Sequence, residues 1–256
     1  MSNFRRPKHL TTRRMQETRP NPPKEQAKAQ RPAREIRWNC PAAAKCGGCQ
    51  LTRLSYAEQL QWKQQRVAEL LDGICEVRPI LGMDDPFHYR NKVHAVLAVD
   101  KAGKPISGVY AMGTHRVVPV RHCLIEDRRA DRIIQTIVAM LPAYKLRIYN
   151  EYTHRGFLRH ILIRTGHVTG QIMVVLVATS LEFPGKKAFV QELIQCHPEI
   201  TTVVLNCNQR ETSMVLGTKE ITLYGEGYME DELCGKRFRI LSLIHISEPT
   251  RLLSIS

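Results

Sequence analysis

The chain has 256 residues, 43% of them hydrophobic, with 38 Lys and Arg against 24 Asp and Glu, a net charge of +14. That length supports one or two domains with a proper core. The charge points to a polyanionic partner, nucleic acid foremost. The longest apolar run, Ile172 to Ala178, is too short to span a bilayer, and the opening Met1-Ser2-Asn3-Phe4-Arg5-Arg6-Pro7-Lys8 has no apolar signal region. A membrane protein and a secreted disulfide scaffold are therefore not expected. A cytoplasmic monomer with reduced or metal-bound cysteines is.

Residues 1–37 carry eleven Lys and Arg against three Glu, and the body still carries a net +6. This first segment is rich in Pro and Gln with few large apolar residues, so it reads as a disordered basic tail. Order is expected from Trp38. Next comes Asn39-Cys40-Pro41-Ala42-Ala43-Ala44-Lys45-Cys46-Gly47-Gly48-Cys49-Gln50. Two glycines between cysteines permit a tight turn that aims both sulfurs at one point. The spacing is C-x5-C-x2-C, and 73 residues later Cys123 offers a fourth thiolate. Structural zinc generally uses two CxxC-like pairs, whereas three-plus-one arrangements serve [4Fe-4S] clusters; spacing alone leaves both open. Cys75, Cys196, Cys207 and Cys234 read as small buried side chains.

Ser55-Tyr56-Ala57-Glu58 is a capping box opening a helix with Tyr56, Leu60, Val67, Leu70 and Leu71 on its apolar face, stopped at Gly73. A strand over 89–99 turns at Asp100–Pro105 and returns over 106–111. A short strand at 117–120 leads to Cys123, and a helix follows with Ile133, Ile134, Ile137, Val138 and Leu141 on one side. A second hairpin pairs 158–164 with 171–179, and a third helix spans about 185–196. Strands at 202–206, 213–216 and 220–224 follow, with Gly225-Glu226-Gly227 as a strand-end turn. The expected class is α+β: antiparallel and mixed hairpins with interspersed helices around a four-cysteine iron–sulfur or zinc site. Residues 241–251 match, codon by codon, a transposase-type sequencing adapter, so residues 241–256 are expected to be non-native and the domain to span 38–240.

Several separated motifs occur in order: Asn39-Cys40-Pro41 with Cys46-Gly47-Gly48-Cys49-Gln50-Leu51, then Ser55-Tyr56, Gln59-Leu60 and Lys63. Tyr89-Arg90-Asn91-Lys92-Val93 follows, then Gly108-Val109-Tyr110, Gly113-Thr114-His115 and Val118-Pro119-Val120-Arg121-His122-Cys123. Leu158-Arg159-His160-Ile161-Leu162-Ile163-Arg164, Leu223-Tyr224-Gly225 and Phe238-Arg239-Ile240 complete the series. Over roughly 38–240 the chain thereby resembles the iron–sulfur, S-adenosylmethionine-dependent RNA (uracil-5-)-methyltransferases of 23S ribosomal RNA. The resemblance implies a [4Fe-4S] cluster on Cys40, Cys46, Cys49 and Cys123, a role in rRNA processing, and RNA as partner.

Family members continue past the Phe-Arg-Ile stretch into a Rossmann-like domain that binds S-adenosylmethionine and carries the nucleophilic cysteine. That domain is expected to be absent here, so the chain is expected to bind RNA without transferring methyl groups. The chemistry implied is thiolate attack on uracil carbon 6 of a flipped base, methylation of carbon 5 and loss of its proton. No catalytic and no cofactor-binding residue is assigned. Arg90, Lys92, His115, Arg116 and Arg121 are expected to form an RNA-binding surface beside the cluster, and at most one of Arg159 and Arg164 to touch RNA. His115 and His122 singly read as hydrogen-bonded locally. A zinc-containing, stand-alone nucleic-acid-binding module is the reading from another class, and a tRNA-directed relative keeps the chemistry with a different substrate.

Overall fold

A computed structural model describes residues 38–211 and 214–243. The expected basic tail over 1–37 lies outside the described residues, as do residues 244–256 of the adapter-like end. Helix α1 (Tyr56–Leu70) is followed by β1 (Lys92–Val99), β2 (Pro105–Tyr110) and β3 (Val117–Pro119), then α2 (Arg128–Met140). The hairpin β4 (Leu158–Thr165) and β5 (Ile172–Ala178) leads through α3 (Lys186–Cys196) to β6 (Ile200–Cys207) and β7 (Lys219–Tyr224), and a ribbon of β8 (Tyr228–Leu233) and β9 (Lys236–Leu241) follows.

The strands join into one seven-stranded sheet in the order β3-β2-β1-β4-β5-β6-β7, with β8-β9 as a separate pair. All neighbours are antiparallel except β5 and β6, which run parallel with Val175 opposite Val204 and Leu176 opposite Leu205. Parallel neighbours require a crossover, and α3 supplies it, making β5-α3-β6 a βαβ unit. Here the expected fold class is corrected. The hairpins are not separate pieces arranged around a four-cysteine site, because β4 is shared between β1 and β5 and so welds the two hairpins edge to edge. The seven-stranded mixed sheet with its βαβ unit is consistent with a Rossmann-like methyltransferase fold, which the sequence reading held to be absent.

One face of the sheet carries the helices. Ile161, Ile163, Val174, Leu176, Val203 and Leu205 pack there against Ile133, Ile137 and Leu141 of the α2 region and Phe189 and Leu193 of α3. On the other face Leu162, Met173, Val175, Val177 and Val204 pack against Met229 of β8, with Ile240 of β9 at the margin. Strands covered on both sides need apolar residues at every position, and β5 is buried at all seven. Gly108 has a packing reason: a Cβ there would sit 1.9 Å from the Val118 carbonyl oxygen, so only glycine lets β2 and β3 approach.

Several local expectations are met. Glu58 N–H donates to Ser55 Oγ at 3.3 Å and Ser55 N–H donates to the Glu58 carboxylate at 2.6 Å, the reciprocal capping box at the start of α1. Others are not. Val67 and Leu70 of α1 are exposed, because only Tyr56 and Gln59 of that helix are buried. No strand forms over 214–216 among the described residues; Asn208 Nδ2 instead donates to the carbonyls of Met214 (2.7 Å) and Val215 (2.9 Å), and side-chain amides replace a ladder. Cys75, Cys196 and Cys234 are exposed rather than buried.

Ile161 is fully buried on the strand that joins the two hairpins. Ile161→Ala is expected to lower unfolding stability by about 2–5 kcal/mol, read as a shifted urea midpoint with an unchanged slope.

Candidate metal centre and nucleic-acid interface

The cysteine segment folds as a chain of turns. Ala43 N–H donates to the Cys40 carbonyl at 3.1 Å and Cys46 N–H to the Ala42 carbonyl at 2.8 Å. Gly48 N–H then points at Cys46 Sγ at 3.4 Å. Gly47 lies against the turn after β2, where a Cβ would meet Met112 at 3.3 Å. Burial pushes the Cys49 thiol above its ordinary value, Cys46 and Cys40 push the same way, and Arg90 pulls down. Cys49 thus feels both of the other knuckle thiols.

Cys123 lies on the segment after β3. Its N–H donates to Asp131 Oδ2 at 2.8 Å, and burial, with Glu126 beside it, pushes its thiol up to about 11. Glu126 is also felt by Cys49. Even so, among the described residues no group of three or more His, Cys, Asp or Glu side chains is arranged to hold a metal ion. The four thiols as they stand do not form a ready [4Fe-4S] or zinc site.

The five basic candidates fall on three segments. Arg90 enters β1 by bridging the 123–127 segment: its N–H donates to the Ile125 carbonyl at 2.8 Å, and Asp127 N–H donates to its own carbonyl at 3.0 Å. Lys92 begins β1 directly opposite Arg164 of β4; burial, then that guanidinium, lowers its pKa. His115 and Arg116 sit in the β2–β3 turn, His115 with its ring edge against Tyr110 at 5.6 Å. Arg121 is exposed just past β3. Arg159 is committed inward. It donates to the carbonyls of Asn208 (3.1 Å) and Arg210 (2.8 Å), pairs with Glu151 at 3.1 Å, and lies 4.5 Å over the Tyr149 ring.

Two features escaped the sequence reading. A cleft of roughly 400 Å³ opens beside Cys49, walled by Trp38, Gln50, Tyr56, Lys63, Tyr89 and Arg90. The adjacent aromatic and cation of Tyr89-Arg90 were its one local signal. The second feature is a pair of imidazoles, His94 on β1 and His160 on β4, with ring centroids 4.9 Å apart. Burial lowers His94 to about 4, helped by Lys92, and His160 to about 3, helped by His94 and Arg159.

No protein-family model matches the chain. It is similar to uncharacterized RNA methyltransferases of Clostridium tetani (37% identity over 215 residues, 82% of this chain and 46% of the relative) and Bacillus cereus (36% over 206 residues, 78% and 45%). A relative of the same description from Clostridium acetobutylicum is 38% identical over 210 residues. The chain spans about half the length of the curated relatives it matches. Its fold matches the crystal structure of Pyrococcus abyssi tRNA (uracil-54, C5)-methyltransferase in complex with S-adenosyl-L-homocysteine. The TM-score is 0.59 at 21% identity, over 79% of this chain and 46% of that one. This likeness in fold to a methyltransferase is the finding that overturns the expected fold class.

The histidine pair makes the fold sensitive to acid. Both imidazoles stay neutral in the folded chain while an unfolded one protonates near 6.5, so the stability they permit is complete above that pH. It is lost as pH falls toward about 4, by up to about 1.4 kcal/mol per pH unit for each ring. Urea midpoints measured from pH 7 to 4 should fall, and the double change His94→Leu with His160→Leu should flatten that fall.

Proposed function

We propose that this chain is the RNA-docking part of an S-adenosylmethionine-dependent RNA (uracil-5-)-methyltransferase acting in the cytoplasm. Similarity to RNA methyltransferases over about four-fifths of the chain carries this reading. The fold likeness to a tRNA uracil-C5 methyltransferase and the positive charge support it. Among the described residues no helix is long and apolar enough to cross a membrane. The proposed substrate is 23S ribosomal RNA, on the strength of the cysteine motif and its ordered companions. The fold likeness favours a tRNA substrate instead, and competition of the two RNAs for the chain separates them.

Arg90, Lys92, His115, Arg116 and Arg121 are proposed to meet the RNA backbone. Arg90 and the β2–β3 turn both border the cysteine knuckle, Arg90 through Cys49 and the turn through Met112. Phosphate contacts of this kind fix register and orientation, and they make affinity fall with salt. The proposed metal centre is a [4Fe-4S] cluster on Cys40, Cys46, Cys49 and Cys123. It is supported by the spacing and by the influence of Cys46 and Cys40 on the Cys49 thiol. No step of the reaction is assigned to it.

Protein purified without oxygen is expected to be brown and to hold iron and sulfide, and Cys46→Ser to lose both. A colourless protein with one zinc would move the reading to a zinc-containing nucleic-acid module. The double reversal Arg90→Glu with Lys92→Glu is expected to weaken RNA binding and lower the salt slope by about two, roughly one for each lost phosphate contact. Unchanged affinity for ribosomal RNA fragments would remove these residues from the interface.

A further inference from the structure

The cleft beside Cys49 has the make-up of a nucleotide site. Its volume of roughly 400 Å³ lies within the range of small-ligand pockets, about 300–1,000 Å³. A base pair in a duplex could not enter a space of that size, whereas an unstacked base could. Tyr89 stands at the cleft wall 51% exposed, so the fold leaves about half of it open to a ligand. The other aromatic walls are fixed. Tyr56 Oη accepts the Met83 N–H at 2.7 Å, and Trp38 packs on Phe87 with centroids 4.8 Å apart. Two cations, Lys63 from α1 and Arg90 from the start of β1, face the same space from different elements. The exposed amide of Gln50 adds a donor and an acceptor, while the Gln59 amide is engaged with the Leu54 carbonyl at 3.1 Å.

We infer that this cleft holds one unstacked base of a single-stranded RNA segment, with Tyr89 stacked on its face and Lys63 and Arg90 on the flanking phosphates. The inference rests on the RNA-docking reading above and deepens it by naming a base subsite. The combination decides the ligand class. An apolar peptide side chain would leave two cations and an amide unmatched, whereas a nucleotide meets all of them. Sequence-tolerant RNA binding uses aromatic faces for bases and a basic wall for the backbone. Gln50 gives the subsite a way to read the edge of the base it holds.

The test uses the full chain and a short fluorescein-labelled oligouridylate, with anisotropy read across a salt series. Tyr89→Ala is expected to weaken binding roughly five- to a hundredfold, and Tyr89→Phe, which keeps the ring, to bind like the unchanged protein. Lys63→Ala should lower the log–log salt slope by about one. In the Trp62→Phe background Trp38 is the single tryptophan, and the same RNA unlabelled should quench it. That readout needs no change inside the cleft, so a poorly folded Tyr89 variant does not decide the matter. RNA binding with Trp38 unquenched and Tyr89→Ala unaffected would overturn the subsite and leave the docking reading standing. No binding of RNA at low salt by the unchanged chain would overturn both.

Discussion

Burial of β4 and β5 on both faces is the constraint on which the rest of the structure depends. Seven successive residues of β5 are withdrawn from water, and seven of the eight in β4. A strand of that kind is stable only between two covering layers. The α2 and α3 helices provide one and the β8–β9 ribbon the other. The ribbon is tied down by Asp231, which accepts the N–H groups of His167 (2.9 Å), Val168 (3.0 Å) and Thr169 (3.3 Å) in the β4–β5 turn. These bonds hold its carboxyl below the usual range despite partial burial. The tie fastens the ribbon to the hairpin it covers.

The apolar cover on the ribbon side does not continue toward β1. Beyond Leu162 the same face turns to His160, His94 and the Lys92–Arg164 neighbours. Within two strands the side chains on this face change from mostly aliphatic to mostly ionisable, and burying ionisable groups costs free energy. The cysteine knuckle, Arg90 and the aromatic cleft lie around the same β1 entrance. The most fully buried strands, β4 and β5, lie in the middle of the sheet, away from that entrance.

Much of this was legible in the residues, and the misses have physical causes. Hairpins were readable where alternation or a continuous apolar run met glycine-rich turns, as at Thr165–Gly170 before β5. The capping box placed the start of α1, which ends at Leu70, short of the expected stop at Gly73. The joining of the hairpins was not readable. β1 ends at Val99 and β4 begins only at Leu158, and pairing at that range leaves no periodic trace in the sequence. The ribbon was missed because Glu230, Asp231 and Glu232 depress strand propensity and only Met229 is buried. The apolar face of α1 was overread, since helical spacing shows which residues share a stripe and not whether anything covers it. For the site, the cysteine spacing was plain, but the positions the thiols take depend on the 123–127 segment meeting Arg90, a tertiary contact.

The partners of the carboxylates show which cations of the fold are left exposed. With 38 basic and 24 acidic side chains, pairing cannot cancel the excess. Many carboxylates also have partners within the fold. Asp231 holds the turn, Asp127 caps α2 and grips Arg129 at 2.7 Å, Asp131 accepts the Cys123 N–H, and Glu58 closes its own cap. Glu151 is committed to buried Arg159, and Glu230 lies between Arg237 and Arg239. Arg90, Arg116 and Arg121 are all exposed. In the RNA-docking reading proposed above, the RNA would be steered there over about a Debye length, roughly 8–10 Å at physiological salt. The rings and the amide of the proposed base subsite, which salt does not screen, would then supply the last contacts.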